Sequence, residues 1–409
     1  MAKDYKDLVV GLDIGTAKVM TVVAEVLPGG ELKLAGLGIS PSNGLKRGVV
    51  VNIDATVQSI QQALKEAELM ADCKITRVYT GITGSHIRGI NSSGMVAVKD
   101  REVSPTDVAR VVETARAINI STDQRLLLVE PQEFVIDGQD VKEPIGMSGI
   151  RLEAKVHIVT GAQSAAENIL KCVRRCGLEV EQLMLNPLAS AQAVLTEDER
   201  ELGVAVVDIG AGTTDVAIFT GGAIRHTAVI PIAGDLITSD IAMALRTPTK
   251  DAEDIKVDSG YAKQLLADPE TQVEVPGLGD RGPRMLSRQA LAGVIEPRVE
   301  EIFSLVQQVI RESGYEEVLS SGVVITGGSA VMPGMVELGE DIFLKPVRRG
   351  MPKYIGALSD MVAQPRAATV MGLLEEARLA RVRGAKVALK HGSVKTAFGR
   401  IKDFIVGNF

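Results

Sequence analysis

Apolar and polar positions fall into short β-rich runs near the beginning of the chain. In "LVVGLDIGTAKVMTVVAEVLPGGELKLAGLGI" one run ends in Asp13-Ile14-Gly15, a second resumes at Lys18, and a third follows a turn at Pro28-Gly29-Gly30. Aliphatic and β-branched runs punctuated by Gly and Pro predict strands and turns, here a three-strand meander. Almost two hundred residues later "LGVAVVDIGAGTTDVAIFTGGAIRHTAVIPI" repeats it, with Asp208-Ile209-Gly210 in the same place and a turn at Gly221-Gly222. The second copy reads as having two extra residues in its turn. A pattern that occurs twice predicts an α/β protein of two similar lobes facing one another across a cleft, not a solenoid.

Elsewhere the period becomes helical. In "SRQALAGVIEPRVEEIFSLVQQVIRESGYEE" the residues Leu291, Val294, Ile295, Val299, Ile302, Phe303, Val306 and Ile310 form one stripe, closed by Gly314. Arg284, Arg288, Arg298, Glu300 and Glu301 fall outside it, on the predicted outer face. Ser85 to Gly161 reads as a self-contained insert: a strand, a helix opened by Ser104 as N-cap and Pro105 at N1, and the strands "RLLLVEPQEFVID" and "RLEAKVHIVTG". It carries no phosphate motif, so an interaction surface is the expected role. From Val394 the apolar residues Val394, Ala397, Phe398, Ile401, Phe404 and Ile405 again fall on one helical stripe, and Lys395, Arg400 and Lys402 flank it. Residues 384–393, with Gly384 and Gly392, read as a flexible basic tether to that helix.

Composition sharpens the meaning of this last stretch. The chain has 409 residues, enough for two to four units, and its 45% apolar and 24% charged residues are those of a soluble globular protein. Net charge is −7, yet Arg378 to Phe409 holds eight Lys or Arg against Asp403 alone, leaving −14 on the rest. Three of only seven Phe, Phe398, Phe404 and Phe409, lie in the last twelve residues. Scarce aromatics beside cations on a tethered helix match an in-plane anchor on an anionic membrane surface. Nucleic acid is not an expected partner, because binding its backbone does not need an aliphatic stripe. The start, MAKDYKD, has no signal-peptide pattern, and no apolar run approaches 18 residues, so a cytosolic chain without a transmembrane span is expected. Cys73, Cys172 and Cys176 read as reduced structural thiols.

The repeated turns carry phosphate-binding chemistry. Gly15, Gly210 and Gly212 let backbone N–H groups approach an anion, Thr16, Thr213 and Thr214 add hydroxyl donors, and Lys18 adds a point charge. Asp13 and Asp208 at the strand ends would bring two carboxylates to the same phosphates, which calls for a cation such as Mg²⁺ between them, held through water. A lone D-x-G is an ordinary hairpin turn; two on matched meanders point to a site. Neither G-x-x-x-x-G-K-[ST] nor G-x-G-x-x-G is present, which excludes a P-loop and a Rossmann phosphate loop.

These turns resemble the phosphate motifs of the actin-like ATPase superfamily. Three more stretches agree: "SGVVITGGSAVMPG", with Gly327, Gly328 and Ser329, is similar to its adenosine motif; "IAGDLITSDIA" puts Gly234 at a helix start; and "DAEDIKVD" carries Glu253 and Lys256 at the spacing that meets the ribose in such proteins. With "GLDIGTAKV", "RQALAGVIEPRVEEIF", the insert and the basic Phe-bearing tail, the whole chain resembles the FtsA family of bacterial cell-division proteins. That resemblance implies ATP and Mg²⁺ as ligands and a defined layout. Subdomain 1A would comprise 1–84 and 162–193, 1C 85–161, 2A 194–234 and 315–383, and 2B 235–314, followed by the tether 384–393 and the membrane-targeting helix 394–409. It implies that 2B binds the acidic-hydrophobic C-terminal tail of FtsZ, for which Arg288 and Arg298 are the candidate cations. It also implies self-association into filaments, contact of later division proteins with 85–161, and peripheral attachment to the cytoplasmic face of the inner membrane. Where enzymes of the superfamily hold a water-orienting acid, "LNPLASAQAV" has Asn186, read as an N-cap before Pro187. Asn can hydrogen-bond a water and cannot take its proton, so ATP binding with at most slow hydrolysis is expected. Two alternatives stand beside this reading: a PilM-type scaffold, against which the tail argues, and a sugar kinase, for which no carboxylate base is identifiable.

Overall fold

The computed structural model describes residues 7–279 and 282–390, with side chains as far as residue 384 in the last helix. The first meander is formed by β1 (Leu8–Ile14), β2 (Lys18–Val26) and β3 (Leu32–Pro41), all antiparallel, with Asp13 opposite Met20 and Ile14 opposite Val19. A short ribbon of β4 (Leu45–Lys46) and β5 (Val49–Val50) brings Gly48 to the first turn, where its N–H bonds the Thr16 hydroxyl at 3.1 Å. Helix α1 (Ile53–Ala71), capped by the Asn52 side chain, buries Ile60, Ala63, Leu64 and Ala67 on this sheet. Its approach needs a bare backbone: a Cβ on Gly38 would stand 1.9 Å from the Ala63 carbonyl oxygen. Strand β6 (Arg77–Ile82) then runs parallel to β1.

The insert is a unit with its own core. It consists of β7 (Arg88–Ala97), α2 (Pro105–Arg116), β8 (Gln124–Ile136), β9 (Gln139–Val141) and β10 (Arg151–Ala162), in sheet order β7-β10-β8-β9. Ser104 and Asp107 make a reciprocal capping box at the start of α2, as the sequence predicts for Ser104. Val108, Val111, Phe134, Leu152, Val156 and Ile158 pack between helix and sheet. The chain then returns to the first lobe through α3 (Gln163–Arg175) and β11 (Glu179–Leu185), completing the order β11-β6-β1-β2-β3.

Helices α4 (Asn186–Val194) and α5 (Glu197–Leu202) lead into the second meander, β12 (Val204–Ile209), β13 (Thr214–Thr220) and β14 (Ala223–Ile230). Helices α6 (Gly234–Leu245) and α7 (Thr249–Ser259), a hairpin of β15 (Gln272–Val275) and β16 (Arg284–Ser287), and the long α8 (Arg288–Ser313) stand above it. The apolar stripe of α8 is buried in the second-lobe core, only Val294 being partly exposed, and Gly314 ends the helix in the left-handed conformation. The chain then passes through β17 (Val323–Thr326), α9 (Met335–Phe343), β18 (Val347–Arg349), α10 (Ser359–Val362) and α11 (Ala368–Lys390). The second sheet has order β14-β13-β12-β17-β18, strand for strand that of the first sheet counted from β3.

Three details differ from the sequence-based expectation. The two phosphate turns have equal length: Ile209 lies opposite Thr214 as Ile14 lies opposite Val19, and Gly210 N–H bonds Thr213 O as Gly15 N–H bonds Lys18 O, each at 2.9 Å. Of residues 368–383, Ala368 packs with the second sheet, but the apolar face that follows it does not. Val370, Met371, Leu373, Leu374 and Ala377 of α11 are buried with Val9, Met20 and Val22 of the first sheet. Finally, α11 continues through Gly384 to Lys390, so this part of the expected tether has a helical backbone.

Candidate functional site

Equal turns on equal sheets bring like atoms together. Asp13 matches Asp208, Gly15 matches Gly210, and Lys18 matches Thr213. The turns meet across a cavity of about 620 Å³ lined by both, by Glu253 and Lys256 of α7, by Gly327 to Ser329, and by Asn186. They nearly touch: a Cβ on Gly212 would stand 2.5 Å from the Thr16 hydroxyl. Gly327, at φ +89°, leaves no room either, since a Cβ there would lie 2.4 Å from an Asp208 carboxylate oxygen. Of the residues singled out in the sequence, Asp13, Gly15, Thr16, Lys18, Asn186, Asp208, Gly210, Gly212, Thr213, Glu253, Lys256, Gly327, Gly328 and Ser329 all line this cleft.

Several take positions that the sequence did not reveal. The Thr214 hydroxyl is buried and donates to Ile232 O at 2.8 Å, so it is a structural contact and not a cleft donor; neighbours on a strand face opposite ways. Gly234 stands behind the turn, its N–H bonded to Gly210 O at 3.1 Å, with Ser329 Oγ bonded to the same oxygen at 3.0 Å. Glu253 and Lys256 pair at 2.6 Å, and Lys256 also reaches Thr238 Oγ1 at 2.8 Å. Asn186 is the first residue of α4 and does not cap it: its Oδ1 is buried without a partner, where a Cβ on Gly81 would come within 2.1 Å. Arg288 is not on the outer face of α8 but lines the cleft. Arg298 is held by Asp240 of α6 at 2.5 Å and by Glu301. Val394, Phe398, Ile401, Phe404, Ile405 and Phe409 lie outside the described residues.

The electrostatics of the cleft are those of a site short of positive charge. Burial pushes the Asp13 carboxyl up, and Lys18 at 3.7 Å opposes the shift. Burial lowers Lys18 in turn, while its ammonium donates to Arg366 O at 2.7 Å. Asp208 is raised by burial, against hydrogen bonds from Ser190 of α4 and Thr369 of α11. A third carboxylate escaped the sequence reading. Asp215 faces Asp208 across β12 and β13, takes a hydrogen bond from Thr83 at the end of the first lobe's β6, and is pushed up to about 8 by burial and by Asp208. Its signal was the second copy's Asp where the first has Met20. Among the described residues no three His, Cys, Asp or Glu converge to ligate a metal directly. Glycine cradles facing buried carboxylates, with a lysine beside them, fit a polyphosphate accompanied by a hydrated divalent cation.

Comparison with known proteins agrees with this architecture. The family model described as "Cell division protein FtsA" matches residues 205–372, and that of the "SHS2 domain inserted in FTSA" matches residues 84–160. The cell division protein FtsA of Pseudomonas aeruginosa is 54% identical over 409 aligned residues, covering 98% of each chain. Among solved structures, one of a PilM-PilN type IV pilus biogenesis complex matches with TM-score 0.65 at 18% identity, covering 90% of this chain and 98% of that one. MreB5 of Spiroplasma citri bound to ADP matches with TM-score 0.56 at 15% identity, over 95% and 100%. At such identities the structural likeness speaks for the fold, two actin-like lobes with an insertion.

Proposed function

The chain belongs to the FtsA family of cell-division proteins, and from that premise we propose that it binds ATP with Mg²⁺ in the interlobe cleft and tethers the FtsZ ring to the cytoplasmic membrane. The observation that carries the nucleotide part is the meeting of two matched Asp-x-Gly turns in one cavity with Glu253, Lys256 and Gly327 on its wall. The N–H groups of Gly15 and Gly210 close the turns, and their bare backbone lets the N–H groups that follow them, with that of Gly212, approach phosphate; Thr16 and Thr213 add hydroxyls, and Lys18 adds charge. Asp13 and Asp208 hold the cation through water, and the cation supplies the positive charge that their burial demands. Glu253 and Lys256 meet the ribose. Asn186 Oδ1, buried and unpartnered, is an acceptor able to orient a water but unable to remove its proton, which supports slow or negligible hydrolysis. The nucleotide then acts chiefly as a ligand that holds the lobes in one relation.

The rest of the function follows from the family and the tail. The helix 394–409 lies in the surface of the anionic inner membrane on its cytoplasmic side, with Phe398, Phe404 and Phe409 buried and Lys or Arg at the headgroups. Among the described residues no helix is long and apolar enough to cross a membrane. The second-lobe region 235–314 receives the FtsZ tail. Arg298 remains a candidate cation there, whereas Arg288 opens on the cleft, so a charge reversal at Arg288 would confound peptide and nucleotide binding. Copies associate into filaments, and residues 85–161 receive later division proteins. Cosedimentation of FtsZ with anionic vesicles tests the whole reading: with ATP the parent chain carries FtsZ into the pellet. Deletion of 394–409 or Phe404→Glu should leave both proteins in the supernatant with ATP binding intact, and vesicle binding retained by both variants would refute the anchor.

A further inference from the structure

We propose that Arg288 contacts the purine base of the bound nucleotide, an assignment that rests on the nucleotide reading above. Arg288 is the first residue of α8, directly after the β15–β16 hairpin, and its backbone N–H is fixed to Thr271 O at 2.8 Å. Arg288 lines the cavity with a half-buried side chain, and its Nε is buried without a hydrogen-bond partner among the described residues. The other arginines of this helix behave differently: Arg298 is paired with Asp240 and Glu301, and Arg311 with Glu316. A buried donor left without an acceptor is costly, so a ligand that supplies one is favoured there.

Position and chemistry select the base. The phosphate turns are at β1 and β12, and the Glu253–Lys256 pair stands on α7, the helix against which β15 packs. Arg288 therefore belongs to the α7 side of the wall, where Val257, Tyr261, Val331 and Met332 also line the cavity. Such a surface suits a flat, weakly hydrated ring better than a phosphate. Guanidinium offers donors only, and a purine offers ring-nitrogen acceptors at its edge and a π face for the cation.

Calorimetric titration of the full chain with ATP and with inorganic tripolyphosphate tests the assignment. Arg288→Ala should weaken ATP binding by about tenfold, one hydrogen bond's worth, and leave tripolyphosphate binding unchanged. Arg288→Lys should also weaken ATP selectively, since it lacks the planar fork. Because the Arg288 Nε has no hydrogen-bond partner among the described residues, and Asp268, the carboxylate that feels its charge, is exposed, the thermal midpoint of the nucleotide-free protein should change little in both variants. Unaltered ATP affinity, or equal losses for both ligands, would overturn the assignment. A parent chain that binds tripolyphosphate and ATP equally would overturn it too, whereas one that binds neither would fail at the nucleotide reading itself.

Discussion

Asp215 is where single-residue chemistry weighs most. Its carboxyl titrates near pH 8 in the nucleotide-free fold and near the ordinary value of about 4 in the unfolded chain. Between those limits the folded protein keeps a proton that the unfolded chain has lost. Stability therefore falls as pH rises through this window, by up to about 1.4 kcal/mol per pH unit. Asp215→Asn keeps an acceptor for Thr83 and removes the titration, so urea midpoints of the variant should decline less between pH 5 and 8; parallel pH profiles would refute the shift. Asp13 and Asp208 were legible because the D-x-G pattern occurs twice, whereas Asp215 depended on strand register, which puts it beside Asp208 and puts Met20 beside Asp13. Arg288 was misread for a related reason. A residue off the apolar stripe is assigned to the solvent side, but at the first turn of a helix it can face a cavity beyond the helix's own packing.

Among the elements, α4 and α11 decide how the lobes are joined. They cross in contact, α4 burying Ala191 and Val194 against the second sheet and α11 burying Val370, Leu373 and Leu374 against the first. Each also sends a hydroxyl to Asp208, Ser190 from α4 and Thr369 from α11. The crossing depends on Gly372: a Cβ there would stand 1.7 Å from the Ala189 carbonyl oxygen, and backbone cannot yield as a side chain would. Gly372→Ala is thus expected to destabilise the protein by about 3 kcal/mol and to weaken nucleotide binding by displacing Ser190 and Thr369. Differential scanning calorimetry reads the first effect, and a midpoint within about 1 °C of the parent would show that the helices separate freely. The sequence made the apolar face of α11 visible and could not say which sheet it covers, because periodicity reports burial without naming the partner. That is why 368–383 was expected in the second lobe. The meanders were readable for the opposite reason: their pairing is local.

At the scale of the molecule, the insert hangs from the first lobe between β6 and α3 yet is bonded to the second. Gln132 donates to Ile224 O at 2.8 Å and Asn91 to Arg225 O at 3.2 Å, so insert amides satisfy backbone carbonyls of β14, the edge strand of the second sheet. His157 sits between Asn91 and Thr227, its ring kept neutral by burial, which lowers its pKa to about 4. Arg225, only 9% exposed, pairs with Glu133 at 2.6 Å. Rotation of the lobes about α4 and α11 must either carry the insert with the second lobe or break these bonds. Glu133→Ala leaves the Arg225 guanidinium without its carboxylate in a largely buried place. The cost should be about 1–3 kcal/mol, lower than for a fully buried pair because Glu133 is partly exposed. The loss should centre on β14, the second-lobe strand that β7, β8 and β10 of the insert contact, whereas the apolar stripe of α8 is buried in the second-lobe core. Hydrogen exchange should therefore quicken in β14 and at the facing residues of β8 while α8 stays protected. Exchange that rises equally in α8 would mean that the insert supports the whole second lobe; exchange unchanged in β14 would mean that Gln132, Asn91 and His157 hold the contact without the ion pair.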